Sequence, residues 1–328
     1  MTKVAESAEF ICNNANNIKL GPEENFRKAA EVLEPLVNAY KPENWAESNL
    51  HPGYFDPKQK ASWIFLTDTL NFAFWAEKDQ PLFTVKYNDK LYTGYMSLVA
   101  AIRRAVDQGK PILSPEFWQN CTSADIKDIF SSETTTEIPL LDYRIEVLHE
   151  AGSYIMKNFN GCTYEMIKST KNSAVNLVNL VSTNLKSYCD KYTYKGREVF
   201  FLKRAQILAA DLHFAFLADN DPVCHFNDID KLTMFADYRV PQALNYFGLI
   251  IYSDELMTKL REDPHLQPGC EMECEIRGCS IHSVEKLKKF MKEIHPSVLI
   301  DFILWDYAKA NSEKMNHIPI HKTRSVFY

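Results

Sequence analysis

The chain has 328 residues, of which 46% are hydrophobic and 24% charged. This length and composition allow a sizeable buried core and exclude a mini-protein or a largely disordered chain. The formal net charge of -6 disfavours docking onto a polyphosphate surface, so we expect no DNA or RNA polymer as partner.

Helical periodicity dominates the chain, which contains only 10 glycines, and it predicts a mainly helical protein. The first clear helix is ENFRKAAEVLEPLVNAY, in which Pro35 is a candidate kink. One apolar stripe runs along it, formed by Phe26, Ala29, Ala30, Leu33 and Leu36.

One β signal interrupts the helices, in FTVKYNDKLYTGY. Its apolar residues alternate on both sides of the turn-forming pair Asn88-Asp89, which predicts a hairpin at about residues 83–95. Further along, IPLLDYRIEVLHEAGSYIMKNF predicts a long helix after Pro139 that ends near Gly161. The stretch REVFFLKRAQILAADLHFAFLAD predicts a core helix.

No internal repeat, low-complexity tract or Pro/Gly linker divides the sequence. We therefore predict a single domain over residues 1–328, with a helical N-terminal segment at 1–45. The last residues, VFY, are expected to be buried at the end of an extended, docked tail.

The cysteines and the hydropathy of the sequence indicate the cellular compartment in which the protein is expected. The eight cysteines are scattered except for Cys270, Cys274 and Cys279, whose spacing differs from the tight CxxC pairs of structural zinc sites. Ordinary core thiols in a reducing compartment fit this pattern better than a metal site. The N-terminus lacks the apolar core of a signal peptide, and no run of about 18 apolar residues could span a membrane. We expect a cytoplasmic protein without a membrane partner.

The sequence lacks GxxxxGK[ST], GxGxxG, HExxH and GxSxG. These are the usual motifs of nucleoside triphosphate hydrolases, Rossmann cofactor-binding proteins, zincin metalloproteases and α/β-hydrolases, so the sequence indicates none of these classes. Carboxylates among aromatic residues occur instead, at three places. In LTDTLNFAFW, helical spacing would place Asp68 and Phe72 on one face. Asp68 would either cap a helix N-terminus or accept hydrogen bonds from a flat heterocycle stacked on Phe72.

The second place is TMFADYRVPQ, where Asp237 lies between Phe235 and Tyr238 and is followed by Arg239. Burial of a carboxylate among rings is costly, because desolvation disfavours its charged form. We expect either an internal ion pair between Asp237 and Arg239 or a reaction at Asp237.

The third place is LIDFILWDYA, where Asp301 and Trp305 are four residues apart. Asp306 would lie about 140° around a helix from Asp301, so one helix face cannot present both acids.

Two further places in the sequence carry basic or titratable side chains that could bind a ligand. In FLKRAQ, Lys203 and Arg204 enter an apolar helix, either as a surface pair, as an ion pair of Arg204 with Asp211, or as a phosphate site around Lys203. His51, in the loop SNLHPGYFDP, is either an ordinary loop residue or, with Tyr54, part of a closure over a pocket.

Six segments of the sequence are TDTLNFAFWAEKD, GYMSLVAAIRRAVDQGKPI, KRAQILAAD, TMFADYRVPQAL, EIRGCS and LWDYA. They resemble, in order, the signatures of the queuosine salvage proteins, the queuosine 5′-phosphate N-glycosylase/hydrolases. The resemblance runs from about residue 45 to the C-terminus. It implies a helical fold similar to DNA glycosylases, hydrolysis of the N-glycosidic bond of queuosine 5′-monophosphate to queuine and ribose 5-phosphate, and no metal or organic cofactor.

The resemblance implies that Asp237 is the catalytic carboxylate, with Phe235 and Tyr238 beside the substrate. Queuine is a 7-deazaguanine without an N7 lone pair, so an acid cannot ease its departure there. Catalysis must act on the sugar, where positive charge grows at C1′. An ionised Asp237 would stabilise that charge and orient or deprotonate the attacking water.

The remaining roles follow from the resemblance as hypotheses. Lys203 and Arg239 would hold the 5′-phosphate. The nucleobase-binding residues would be His51, Asp68, Phe72, Phe235, Tyr238, Asp301, Trp305 and Asp306. We expect a monomer whose partner is the small nucleotide. The alternative is a protein that binds queuine or a related deazapurine without turnover, and a glycosylase acting on a nucleic-acid polymer is disfavoured by the net charge.

Overall fold

The structure is a computed structural model that describes residues 2–48, 50–219 and 221–328. It confirms the mainly helical class, whereas the likeness to DNA glycosylases stays a prediction. The α-helices are α1 (Lys3–Asn13), α2 (Glu23–Ala39), α3 (Pro42–Ser48), α4 (Pro57–Thr69), α5 (Tyr95–Asp107), α6 (Pro115–Asn120), α7 (Ser123–Ile129), α8 (Leu141–Phe159), α9 (Thr163–Lys168), α10 (Ala174–Asn184), α11 (Lys203–Ala218), α12 (Val240–Tyr246), α13 (Asp254–Glu262), α14 (Glu271–Leu287), α15 (Ser297–Ala310) and α16 (Ser312–Met315).

Short antiparallel strand pairs complete the secondary structure. The strands are β1 (Ile18–Leu20), β2 (Thr84–Tyr87), β3 (Lys90–Thr93), β4 (Lys191–Tyr194), β5 (Arg197–Phe200) and β6 (Ile250–Tyr252). They pair as β1 with β6, β2 with β3 and β4 with β5. Within the described part of the chain, no helix is long and apolar enough to cross a membrane.

Contacts between Cα atoms divide the chain into two compact units, each assembled from three separate stretches. Unit 1 comprises Met1–Tyr40, Asp190–Gln206 and Asp228–Arg324. Unit 2 comprises Lys41–Cys189, Ile207–Asn227 and Ser325–Tyr328. That the chain forms a single domain stays a prediction.

Unit 1 is built around α14, which is buried along almost its whole length. This helix packs against α1, α2, α12 and α15 and against β1, β4 and β6. Its approach to α1 requires Gly278, because a Cβ at that position would lie 2.6 Å from Cγ2 of Ile11. A helix surrounded in this way buries its polar side chains as well, so each of them needs an internal partner.

In unit 2, α8 packs against α6, α7 and α9, and α5 packs against β2 and β3. Helix α4 begins with a capping box between Asp56 and Gln59, with Pro57 at its first position. Its residues from Lys60 to Thr69 are buried. Helix α4 is therefore an interior element of unit 2.

The hairpin expected at about 83–95 is confirmed. Tyr87 pairs with Lys90 across the turn, and Asn88 and Asp89 have φ of 46° and 59°, the left-handed geometry that a two-residue hairpin turn favours. The long helix before Gly161 is confirmed as α8. A second hairpin, formed by β4 and β5 with its turn at Lys195-Gly196, was not predicted from the sequence.

Two local predictions were wrong. Helix α4 ends at Thr69 and residues 71–77 are not helical, so Asp68 and Phe72 share no helix face. Asp68 lies in the last turn of α4 and is not an N-cap. In α2, Leu36 is exposed while Glu34 is buried, because the Glu34 carboxylate accepts hydrogen bonds from the backbone N–H groups of Lys292 and Glu293.

Candidate active site

The most constrained segment of unit 1 is residues 233–239, which precede α12 and are not helical. At its start, Thr233 and Gln206 are doubly bonded: the Thr233 N–H donates to Oε1 of Gln206 at 2.9 Å, and Nε2 of Gln206 donates to Oγ1 of Thr233 at 3.0 Å. Residues 233–237 are all buried. The segment is therefore a fixed element of the interior, although it lacks regular secondary structure.

Two further side chains fix the backbone just before Asp237. The Phe235 N–H donates to Oδ1 of Asp301 at 2.9 Å, and Nε of Arg277 donates to the Ala236 carbonyl at 3.1 Å. The Asp237 N–H itself donates to the Phe235 carbonyl at 2.7 Å. Consecutive residues of this segment are thus anchored to α14 and α15.

Asp237 is 9% exposed. Its Oδ1 accepts hydrogen bonds from the backbone N–H groups of Arg239 at 3.0 Å and Val240 at 2.8 Å. Within the described part of the chain, Asp237 makes no other side-chain hydrogen bond and no ion pair within 4 Å, so Oδ2 has no protein partner there. Arg239 therefore contacts Asp237 through its backbone and does not neutralise it as an ion pair.

Burial raises the pKa of Asp237, whereas Lys203, the N–H groups of Val240 and Arg239, and the Arg239 charge act in the opposite direction. Lys203 is the first residue of α11 and is buried. Burial lowers the pKa of Lys203, and the negative charges of Asp237 and Asp301 partly offset this. Its Nζ makes no hydrogen bond or ion pair with any described residue.

The three α15 residues singled out by sequence differ in environment. Asp301 is buried and engaged by Phe235, whereas Asp306 is exposed. Partial burial of its carboxyl group raises the pKa of Asp306, and the positive charge of Lys309 lowers it. Trp305 is half-buried, with Nζ of Lys309 at 5.1 Å from its ring centroid. The separation of the two acids around the helix is as the spacing indicated.

Tyr238 and Arg239 follow Asp237 directly and are both half-buried. Burial, and then the Asp237 charge, raise the pKa of Tyr238 to about 12. The guanidinium of Arg239 forms no hydrogen bond or ion pair with the residues described here. The charged groups of Lys203 and Arg239, both near Asp237, thus form no hydrogen bond or ion pair with the described residues of unit 1.

In unit 2, Asp68 is fully buried at the end of α4. Burial, followed by the charges of Asp211 and Asp68, raises the pKa of Tyr95. Phe72 is also fully buried, and Cζ of Arg144 lies 4.3 Å from its ring centroid. A nucleobase-binding role for Asp68 and Phe72 stays a prediction.

His51 lies in a different part of unit 2, among aromatic rings. Its ring centroid is 5.5 Å from that of Trp45, 5.8 Å from Phe55 and 6.3 Å from Trp63. Neither ring nitrogen has a hydrogen-bond partner among the described residues. Burial, followed by the positive charge of Lys60, lowers the pKa of His51 to about 3, so the ring is neutral near pH 7.

Within unit 1 the structure brings Phe235, Asp237, Lys203 and Asp301 together. Sequence reasoning missed the residues that hold them, chiefly Arg277, Asp190 and Gln206. A signal existed for Arg277, because Glu273 lies four residues before it, which is the spacing of an ion pair on a helix. Among the described residues, no group of three or more His, Cys, Asp or Glu side chains is placed to hold a metal ion.

Comparisons with known proteins agree with the motifs. The family model described as queuosine salvage protein matches residues 50–328. A relative from Mus musculus, named queuosine 5′-phosphate N-glycosylase/hydrolase, is 39% identical over an alignment of 334 residues that covers 98% of this chain and 98% of the relative. Relatives of the same name from Schizosaccharomyces pombe and Sphaerobacter thermophilus are 37% and 36% identical, covering 100% and 82% of this chain and 100% and 81% of their own. The chain belongs to the queuosine salvage protein family.

Proposed function

We propose that this protein hydrolyses the N-glycosidic bond of queuosine 5′-monophosphate and releases queuine and ribose 5-phosphate, so that the base can be reused in tRNA modification. One observation carries the proposal. A chain that matches relatives with this activity in their name over almost its full length also holds a buried carboxylate, Asp237, with one oxygen uncommitted.

Asp237 is assigned as the catalytic residue. Because the deazapurine base offers no N7 for protonation, the barrier falls mainly through stabilisation of the positive charge that develops at C1′. The two backbone N–H groups on Oδ1 fix the carboxylate, so Oδ2 can face the sugar or the attacking water without reorganisation. Lys203 favours the ionised form that this role needs.

Lys203 and Arg239 are assigned to the 5′-phosphate. Their charged groups are uncommitted among the described residues, and a phosphate would supply the anion that each lacks. Lys203 would then act twice, on the phosphate and on the ionisation of Asp237.

The aromatic and acidic residues are assigned to the base. Phe235, Tyr238 and Trp305 offer ring faces beside Asp237 or on α15. Asp301 already accepts from Phe235, whereas Asp306 is exposed and suits the cationic amine on the cyclopentenediol arm of queuine. For His51, Asp68 and Phe72, which belong to unit 2, a role in binding the base stays a prediction from the motifs.

The deciding experiment is incubation of purified protein with queuosine 5′-monophosphate and detection of free queuine by mass spectrometry. Asp237→Asn should release queuine about 10³-fold more slowly, and Asp79→Asn, at an exposed position, should behave as the unchanged protein. Intact nucleotide after long incubation with folded protein would contradict the proposal, and retention of added queuine without any product would favour the binding-protein alternative.

We also propose that the substrate is the free nucleotide, since the net charge of -6 opposes contact with a polyanion. Intact tRNA that carries queuosine should yield no queuine in the same assay. Release from tRNA at physiological salt would overturn this part of the proposal.

A further inference from the structure

A buried ionic network lies directly behind the proposed catalytic segment of unit 1. Arg277 donates to both carboxylate oxygens of Asp190, from Nη1 at 3.0 Å and from Nη2 at 2.6 Å. Nη1 also lies 3.3 Å from Oε1 of Glu273. All three side chains are essentially excluded from solvent. Such a network costs desolvation free energy and is weak evidence for stability alone, so its geometry calls for another explanation.

The network touches both charged groups of the site through their backbones. Nε of Arg277 donates to the carbonyl of Ala236, and that carbonyl belongs to the peptide group whose nitrogen is that of Asp237. Oδ2 of Asp190 accepts the backbone N–H of Lys203 at 3.2 Å. One carboxylate therefore fixes the first residue of α11 directly and the Ala236–Asp237 peptide through Arg277.

The orientation of Arg277 is over-determined. The Asp190 carboxylate binds the two Nη atoms as a fork, Phe201 lies against the guanidinium with 4.1 Å from Cζ to the ring centroid, and Nε is left pointing at Ala236. Only a planar guanidinium presents two parallel donors to a carboxylate and a third to a carbonyl on its other edge. A lysine would keep the charge but lose this geometry.

We propose that Arg277, oriented by Asp190, is a positioning residue that sets the direction of the Asp237 carboxylate and its register relative to Lys203. This rests on the proposed hydrolase function. Arg277 does not touch the substrate in this scheme. It acts through the Ala236–Asp237 peptide, and an error of about 1 Å in such a placement costs about 100-fold in turnover.

The test is the steady-state kinetics of Arg277→Lys with queuosine 5′-monophosphate. Turnover (kcat) should fall about 100-fold while KM changes less than about threefold, because the charges that bind the nucleotide remain. The acid limb of the pH profile should stay where it is, since the positive charge at position 277 is retained. A kcat within threefold of the unchanged protein would overturn the proposal.

A matched control separates positioning from stability. Glu275→Gln removes a buried charge from the same helix, two residues away, and should lower the melting temperature without lowering kcat. If the losses of kcat follow the losses of melting temperature in both variants, the role of Arg277 is only structural. Should Arg277→Lys fail to fold, Asp190→Asn provides the second test, because it leaves Arg277 in place and removes one half of the fork.

The dependence on Asp237 provides the last readout. In an Asp237→Asn background, measured with excess enzyme over long incubation, Arg277→Lys should cause no further loss, since the group that it orients is already disabled. An additional 100-fold loss would contradict the proposal. If the unchanged protein releases no queuine, the proposed function is wrong and Arg277 has no positioning role in this reaction. If the unchanged protein releases queuine and Arg277→Lys does so at the same rate, only the positioning role is wrong.

Discussion

Two buried carboxylates of unit 1, Glu275 and Asp237, differ in how many hydrogen bonds they accept and on which oxygens. Glu275 on α14 accepts hydrogen bonds on both oxygens, from the N–H of Asn16 at 2.9 Å, the N–H of Asn17 at 2.7 Å and the hydroxyl of Tyr194 at 2.8 Å. Asp237 accepts two bonds, both on Oδ1.

The difference separates a structural acid from a candidate catalytic one. Three donors replace the water that Glu275 lost on burial, so its charge joins α14 to the loop at residues 16–17 and to β4. Asp237 is fixed by one oxygen, and its other oxygen has no partner among the described residues. Burial raises its pKa, which is the signature of a group whose charge is not fully compensated.

The largest expected effect is that of Asp237→Asn. The asparagine Oδ1 can still accept from the N–H groups of Arg239 and Val240, so the local fold should persist while the charge is lost. We expect turnover of queuosine 5′-monophosphate to fall by about 10³-fold, measured as queuine released per enzyme per minute.

The same variant should melt at the same or a higher temperature. The pKa of Asp237 is higher in the folded chain than in the unfolded chain, so ionising this carboxyl costs more free energy in the folded state. The protonated carboxyl therefore stabilises the fold, and this contribution is lost as pH rises through the folded-state pKa. A clear decrease in melting temperature at pH 7 would mean that Asp237 is a structural acid like Glu275.

The second effect concerns Lys203. Lys203→Met keeps a similar volume and removes the cation, so KM for the nucleotide should rise about 30-fold, in line with the loss of a charged hydrogen bond. Lys78→Met, at an exposed position, serves as the control. Kinetics with the nucleoside queuosine should change much less, and an equal loss with nucleoside and nucleotide would contradict a phosphate role.

The third effect is on pH dependence. Because burial raises the pKa of Asp237, kcat/KM should decline at acidic pH with a midpoint above the ordinary aspartate range. Lys203 opposes that shift, so Lys203→Met should move the midpoint further upward. A pH–rate profile from pH 4 to 8 measures both, and a downward movement in the variant would contradict the proximity of these charges.

The smallest expected effect on turnover is that of Glu275→Gln. The amide can replace only one of the two accepting oxygens, so the free energy of unfolding should fall by about 1–3 kcal/mol, as read from urea denaturation. At a temperature where the protein is folded, turnover should stay within threefold. A large loss of turnover with unchanged stability would erase the distinction between the two acids.

The class of fold and much of the local structure could be predicted from the amino-acid sequence alone. Helical periodicity identified α8, and the Asn88-Asp89 pair identified the hairpin of β2 and β3, because both signals depend on local backbone preferences. Ordered motifs identified the family. The position of Asp237 between Phe235 and Tyr238 identified the segment that carries the proposed chemistry.

The contacts of those residues could not be predicted and are known from the three-dimensional structure. The sequence left open whether Asp237 pairs with Arg239. In the structure, Asp237 accepts a hydrogen bond from the backbone N–H of Arg239, and the positive charge of Lys203 on α11 lowers the pKa of Asp237. The structure also shows that Asp68 ends a helix, and that Asp190 and Arg277 fix the segment from 47 and 40 positions away along the chain. The physical reason is that the cost of burying a charge depends on which distant donors surround it, and no local pattern records those donors.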